Sequence, residues 1–269
     1  MKLKVLVDNN TYIDEYYYGE PSVCYYIEDE DTRLLFDVGY SDIFLKNSTA
    51  LGVNLKNIDT IVISHRHDDH TGGLKYYFQQ NYRNNISIIA HTDAFKEKTV
   101  ESFRICSPML KKELKKKCNL ILSKKPKKVS KNITFLGEMP RTNNFENTKP
   151  IGKQSFGEIS IDDYSMDDTA LVYKGEKGIY IITGCSYSGI CNIAEYAKKV
   201  CGDNRMFGII GGLHLFEVNS QAVRTIEYLK KNNIKELYPC HCTSFQVKAE
   251  MYKSLPIGEV GVGMEINWQ

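Results

Sequence analysis

The stretch IVISHRHDDHTGGL, residues 61–74, constrains this chain more than any other part of it. The chain has six histidines, and three of them, His65, His67 and His70, fall between Ser64 and Thr71. The apolar run at 60–64 reads as a strand ending at Ser64. His65 and His67, two residues apart, then point to the same side. The turn that follows brings Asp69 and His70 back toward them. Imidazole and carboxylate suit zinc, iron or manganese. Two histidines on one side and an Asp-His pair on the other match two metals roughly 3.5–4 Å apart. A solvated polar turn after a strand is the plainer alternative; four potential ligands packed between positions 65 and 70 argue against it.

The rest of the composition bounds the setting. At 269 residues, 42% hydrophobic and 25% charged, the chain can bury a sizeable core, which excludes disordered and collagen-like classes. One domain spanning 1–269 is expected, with a basic helical insertion at about 96–131. No apolar run nears the roughly 18 residues that cross a bilayer, and the start MKLKVLVDNN reads as a strand rather than an export signal. A cytoplasmic protein without membrane contact is therefore expected. The eight cysteines then stay reduced, and some are free to act as ligands. The net charge of +2 says little about partners, but its distribution is uneven. Residues 96–131 hold 13 Lys or Arg against Glu97, Glu101 and Glu113, so the remainder is net acidic. That segment reads as a solvated amphipathic surface helix, or as a lid whose field draws in an anionic substrate. Phosphate-tracking contact with nucleic acid is a third use, weakened by the few aromatics nearby.

Periodicity and turn residues give strands at 1–8, 23–28 and 33–36, with a hairpin turn at 29–31. A helix is expected at 42–51, closed by Gly52, then the strand at 60–64, a helix at 74–80 and a buried strand at 86–90. Residues 94–118 read as one or two basic helices broken at Pro108, and 123–132 as a Lys-rich loop. Further strands are expected at 133–136, 157–161, 170–174 and 178–183, the last two joined by Gly175-Glu176-Lys177. A helix at 192–200, a strand at 207–210, a helix at 220–232, a strand at 235–238 and a helix at 245–253 complete the order. Two strand-rich halves, each followed by helices, imply two packed sheets with helices outside.

SHRHDDHTGG resembles the HxHxDH signature of the metallo-β-lactamase fold superfamily, and LLFDVG, with Asp37, resembles its first motif. VLVDNN, IITGCSYSGI, IIGGLHL and YPCHCTS resemble one subfamily, that of the archaeal dihydropterin–ribofuranosylaminobenzene 5′-phosphate synthase. The matching segments run from residue 5 to 245. The resemblance implies an α/β protein, a four-layer αββα sandwich, with two divalent metal ions where the sheets meet. Zinc is the leading candidate, with iron or manganese next. It implies His65, His67, Asp69 and His70 as ligands, Asp37 as the brace of the metal loop, and His241 as a ligand of the second metal. Cys185 stands where the superfamily has a bridging aspartate, and a thiolate there favours zinc; packing in a Gly-Cys-Ser turn is the alternative. The third-motif histidine is missing. Its place falls at Met166, so Asp167, ahead of Asp168, is the candidate carboxylate near the first metal, with a plain β-turn as the rival reading.

Asp69 and His214 are the catalytic candidates, His214 as general acid or phosphate contact. Tyr187 stands where many subfamily members have histidine, and its hydroxyl can donate a hydrogen bond. Ser186, Ser188 and Gly189 precede a helix whose N-terminus suits a phosphate. His91 either lines the site mouth or caps a helix. The function implied is a metal-dependent hydrolase or transferase acting on a phosphorylated or otherwise anionic small molecule, with pterins one class. A nuclease or phosphodiesterase using the Lys-rich insertion is one rival. A non-enzymatic metal or redox sensor using Cys185, Cys240 and Cys242 is another. A true β-lactamase is disfavoured by the lack of an export signal.

Overall fold

Alternating burial decides the architecture. The computed structural model describes residues 1–80, 82, 86–100, 103–156 and 159–269. Strands β1 (Lys2–Val7), β2 (Cys24–Asp29) and β3 (Thr32–Phe36) form an antiparallel meander with Leu3 opposite Ile27 and Ile27 opposite Leu34. β4 (Thr60–Val62) and β5 (Ser87–Ala90) add to it in parallel. β6 (Lys98–Val100) and β7 (Phe103–Arg104) leave this sheet, and β8 (Asn119–Leu122) rejoins it beside β5. The second sheet follows: β9 (Lys127–Lys128) and β10 (Ile133–Phe135), then, after β11 (Lys153–Phe156) and β12 (Ile159–Asp162), strands β13 (Ala170–Gly175), β14 (Gly178–Thr183), β15 (Met206–Gly212) and β16 (Glu236–Cys240). β17 (Glu265–Asn267) returns to β1. The orders are β17-β1-β2-β3-β4-β5-β8 and β16-β15-β14-β13-β10-β9, with a small third sheet β12-β11-β6-β7. Pro239 sits in β16, an edge strand, where its missing N–H costs no ladder bond.

Along each central strand, neighbours go to opposite layers. Leu34, Phe36, Ile182 and Ile210 join one buried cluster between the two large sheets. Leu35, Ile61 and Ile88 turn outward onto α1 (Ile43–Ala50), α3 (Leu74–Tyr77) and α4 (Lys111–Lys117) through Phe44, Leu74, Tyr77 and Leu114. Ile181 and Ile209 turn outward on the other side onto α5 (Ile190–Cys201), α6 (Ser220–Lys231) and α7 (Phe245–Tyr252). Strands covered on both faces need apolar residues at both parities, which is why β14 and β15 read as continuous runs. Each such Leu or Ile contributes roughly 1.5–3 kcal/mol on burial. The αββα sandwich expected from the resemblance is therefore the fold. No helix among the described residues is long and apolar enough to cross a membrane.

The basic segment departs from expectation. Its first half is not helical: β6 and β7 pair with each other, and β6 also pairs with β11. Among the described residues of the segment only α4, seven residues long, is helix. Lysine runs hide this, because the one lysine that matters, Lys98, is fully buried in β6. The strand expected at 157–161 is β12; Gly157 and Glu158 lie outside the described residues. A four-residue helix α2 (Asp68–Thr71) carries part of the histidine motif, where a turn was expected.

β1, β3, β4, β14, β15 and β16 all end at one edge. The loops there hold Asn9, Asp37, the histidine motif, Cys185, His214 and His241.

Candidate metal centre

Asp37 organises the motif. It follows β3 in a left-handed conformation, φ +57°. Its Oδ1 accepts from Ser64 N–H at 2.7 Å and its Oδ2 from the Ser64 hydroxyl at 2.7 Å, while Oδ2 also lies 2.7 Å from His70 Nδ1. One carboxylate thus fixes the end of β4 and one imidazole, the bracing role its motif implied. The two glycines that close the motif are steric necessities. A Cβ on Gly72 would stand 2.2 Å from the Tyr40 carbonyl oxygen, and one on Gly73 1.9 Å from that of Val38.

Two groups of donors converge. His65, His67 and Asp69 bring one ligand atom each to within 4.8 Å of one another, and so do Asp69, His70, Cys185 and His241. Asp69 belongs to both. His70 Nε2 lies 3.2 Å from Cys185 Sγ and 3.3 Å from Asp69 Oδ2, and His241 Nε2 is 3.3 Å from the same oxygen. The Nε2 atoms of His65 and His67 are buried with no hydrogen-bond partner. Burial pushes both of these imidazoles well below the usual histidine range, so they are neutral, with a lone pair to give. At His70 burial also disfavours charge, but Asp69 and Asp37 outweigh it and hold the ring well above that range. Orphaned lone pairs beside a surplus of negative charge fit divalent cations.

Each histidine is oriented through its other nitrogen. His65 Nδ1 meets the Ser64 hydroxyl at 2.9 Å, His67 Nδ1 the Tyr187 hydroxyl at 2.9 Å, and His241 Nδ1 the Asn9 side-chain Oδ1 at 3.0 Å. Asn9, from the VLVDNN motif, was not among the expected site residues. Side-chain contact with a residue 232 positions away leaves no local trace.

Asp167 is a correction. Both of its oxygens belong to Arg66: Oδ2 accepts from the Arg66 backbone N–H at 2.8 Å, and Oδ1 from Nε at 3.0 Å and Nη2 at 2.8 Å. It pairs with the buried guanidinium of the metal loop and joins neither donor group. Asp163 completes this cluster, 3.3 Å from both Arg66 Nη2 and Lys98 Nζ. Asp168 accepts from Ser188 N–H at 2.8 Å, and burial raises its carboxyl to about 6.

His91 is a second correction. Its Nδ1 accepts from Asp93 N–H at 3.1 Å and its Nε2 lies 3.2 Å from Glu138, so it holds a turn and is absent from both donor groups. The N-terminus of α5 is a third. The Cys191 and Asn192 N–H groups donate to Glu146 Oε1 and Oε2 at 3.0 and 2.9 Å, so this chain's own carboxylate sits where a phosphate was expected. Ser186, φ +55°, spends its hydroxyl on the Gly212 carbonyl at 2.7 Å. No sequence signal marked Glu146.

Beside the donors opens a pocket of about 450 Å³. Tyr187, Ser186 and His214 form its inner wall. Asn147, Lys149 and the start of α6 form its outer wall. The His214 ring packs 4.3 Å from that of Tyr187, and burial pushes its imidazole down to about 4. No residue of α4 lines this pocket; Lys116 and Lys117 face a separate hollow. Instead the basic segment backs the metal loop: Asp68 N–H donates to the Ile105 carbonyl, Ser107 N–H to that of Arg66, and Lys98 Nζ to Ser165 Oγ at 2.8 Å. All eight cysteines are free thiols; Cys240 lies against the Tyr25 hydroxyl, away from both donor groups.

The family model described as metallo-beta-lactamase superfamily matches residues 17–140. An uncharacterized protein of Methanocaldococcus jannaschii is 33% identical over 96% of this chain and 98% of its own. The 7,8-dihydropterin-6-methyl-4-(beta-D-ribofuranosyl)-aminobenzene-5'-phosphate synthase of the same organism is 32% identical over 92% of this chain and 89% of its own. Among solved structures, Tm1679, described as a metal-dependent hydrolase of the beta-lactamase superfamily, superposes with a TM-score of 0.84. It is 24% identical and covers 99% of this chain and 98% of its own.

Proposed function

The chain belongs to the metallo-β-lactamase superfamily, and on that premise we propose that it is an enzyme using two divalent ions, zinc foremost, to hydrolyse or transfer a group of a phosphorylated, anionic small molecule. The carrying observation is the pair of converging donor groups joined at Asp69, with the unpartnered Nε2 atoms of His65 and His67. His65, His67 and Asp69 would hold one ion, and Asp69, His70, Cys185 and His241 the other. Ions held there polarise a substrate oxygen and lower the pKa of water toward ~7.

The remaining work falls to this chain's own residues. An imidazole that binds a cation through Nε2 keeps its proton on Nδ1, so His67 donates to Tyr187. The Tyr187 hydroxyl then has its own proton for a substrate oxygen in the pocket that it lines. His214, neutral at pH 7, offers an N–H or a lone pair rather than the proton of an imidazolium. Lys149 supplies positive charge at the outer wall, and among the described residues no carboxylate lines the pocket. A thiol ligand at Cys185 suits a reducing compartment such as the cytoplasm.

Group transfer is the second reading, favoured by the synthase relative; pyrophosphate would then be the leaving group. The test is metal analysis of the purified protein with assays of phosphodiester hydrolysis and of dihydropterin transfer. His65→Ala should lose one metal equivalent and activity while keeping the fold, because the ligands sit on loops at strand ends. Full metal occupancy and unchanged turnover in that variant would sink the reading.

A further inference from the structure

The two donor groups are unequal, and we infer that they fill in a fixed order: first the group of Asp69, His70, Cys185 and His241, then the group of His65 and His67 across the shared Asp69. This rests on the metal-dependent reading above.

Four features separate the groups. The first offers four protein ligands, one of them a thiol sulfur, whose thiolate binds zinc and cobalt strongly. The second offers three, two imidazoles and the same shared Asp69. The outer partners differ as well. His70 and His241 are oriented by a carboxylate and an amide oxygen, strong acceptors that sharpen the donor power of Nε2. His65 and His67 lean on two hydroxyls, which are weaker acceptors.

Charge acts the same way. The buried Lys98 ammonium stands 5.8 Å from the centre of the Tyr187 ring, which itself packs 5.0 Å from both His65 and His67, so a cation already lies on the side of the second group. Finally, the carboxylate best placed in sequence to complete the second group, Asp167, is taken by Arg66 through both oxygens. Among the described residues no other His, Cys, Asp or Glu joins that group. Its ion is therefore the less tightly held, with places left for solvent and substrate.

The experiment is a cobalt(II) titration of the chelator-stripped full chain, read by its absorption spectrum. The thiolate-to-cobalt charge-transfer band should be complete at one equivalent, and the second equivalent should add only ligand-field absorption. His65→Ala should bind one equivalent with the band intact, and Cys185→Ser should lose the band. A band that grows evenly across two equivalents, or only with the second, overturns the order while leaving the dinuclear reading standing. No cobalt binding at all overturns both. The wild-type titration alone decides the order, so a variant that fails to fold does not blunt the test.

Discussion

His214 and Tyr187 can be told apart from the ligands one side chain at a time. His214→Ala should keep both metal equivalents and lose roughly 10²–10⁴-fold in kcat, the range for a proton-handling group. Loss of an ion in that variant would instead make His214 a ligand. Tyr187→Phe should also keep its metals and lose roughly 10²-fold or more in kcat, as when one donor to developing charge is removed; unchanged kcat would leave Tyr187 only the orienting of His67. Because burial holds His214 near 4, its protonation should not limit activity between pH 8 and 5. An acid limb near pH 6.5 that His214→Ala abolishes would contradict this. The same depression has a stability consequence. Between about 6.5 and 4 the unfolded chain takes up the His214 proton first, so this contribution to stability is lost as pH falls through that window.

At the scale of elements, the start of α5 ties stability to the pocket. Glu146 caps the helix, and Asn147 and Lys149 in the same loop line the cavity. Glu146→Ala should cost about 0.5–2 kcal/mol, the range for a lost cap, and raise KM at unchanged metal content. A stability loss with KM untouched would separate the cap from the pocket. Gly189→Ala should be worse: φ is +90° and its Cβ would stand 2.2 Å from Glu146 Cδ. These elements also show where sequence reading ran out. The central strands of the two large sheets and the HxHxDH motif were legible because local alternation and local ligand density write them; β6 to β9, β11 and β17 were not. The cap by Glu146, the ion pair of Arg66 with Asp167 and the burial of Lys98 were not, since each joins residues 45 or more positions apart. Lys98 was read only as part of a basic segment; its partners, Asp163 and Ser165, are far along the chain.

For the whole molecule, the metals should stabilise without being needed for folding. The cores lie between and outside the sheets, and the donors lie at one edge. Zinc at a hundred times its Kd adds about 2.7 kcal/mol, which for a chain of this size is a rise in Tm of roughly 5–10 °C at 2–4 °C per kcal/mol. Calorimetry with and without zinc checks this, and loss of far-ultraviolet circular dichroism on chelation would contradict it. Asp37, Ser186, His214 and His241 share one further property: all four stand in left-handed backbone, φ between +47° and +57°. Each such residue costs roughly 1–2 kcal/mol, so the edge that holds the chemistry carries backbone strain. Glycine at any of these positions would relax the backbone and delete the group. A population of variants selected for heat resistance alone would therefore erode the site before the core, and heat-hardened survivors should be screened for metal before they are trusted as enzymes.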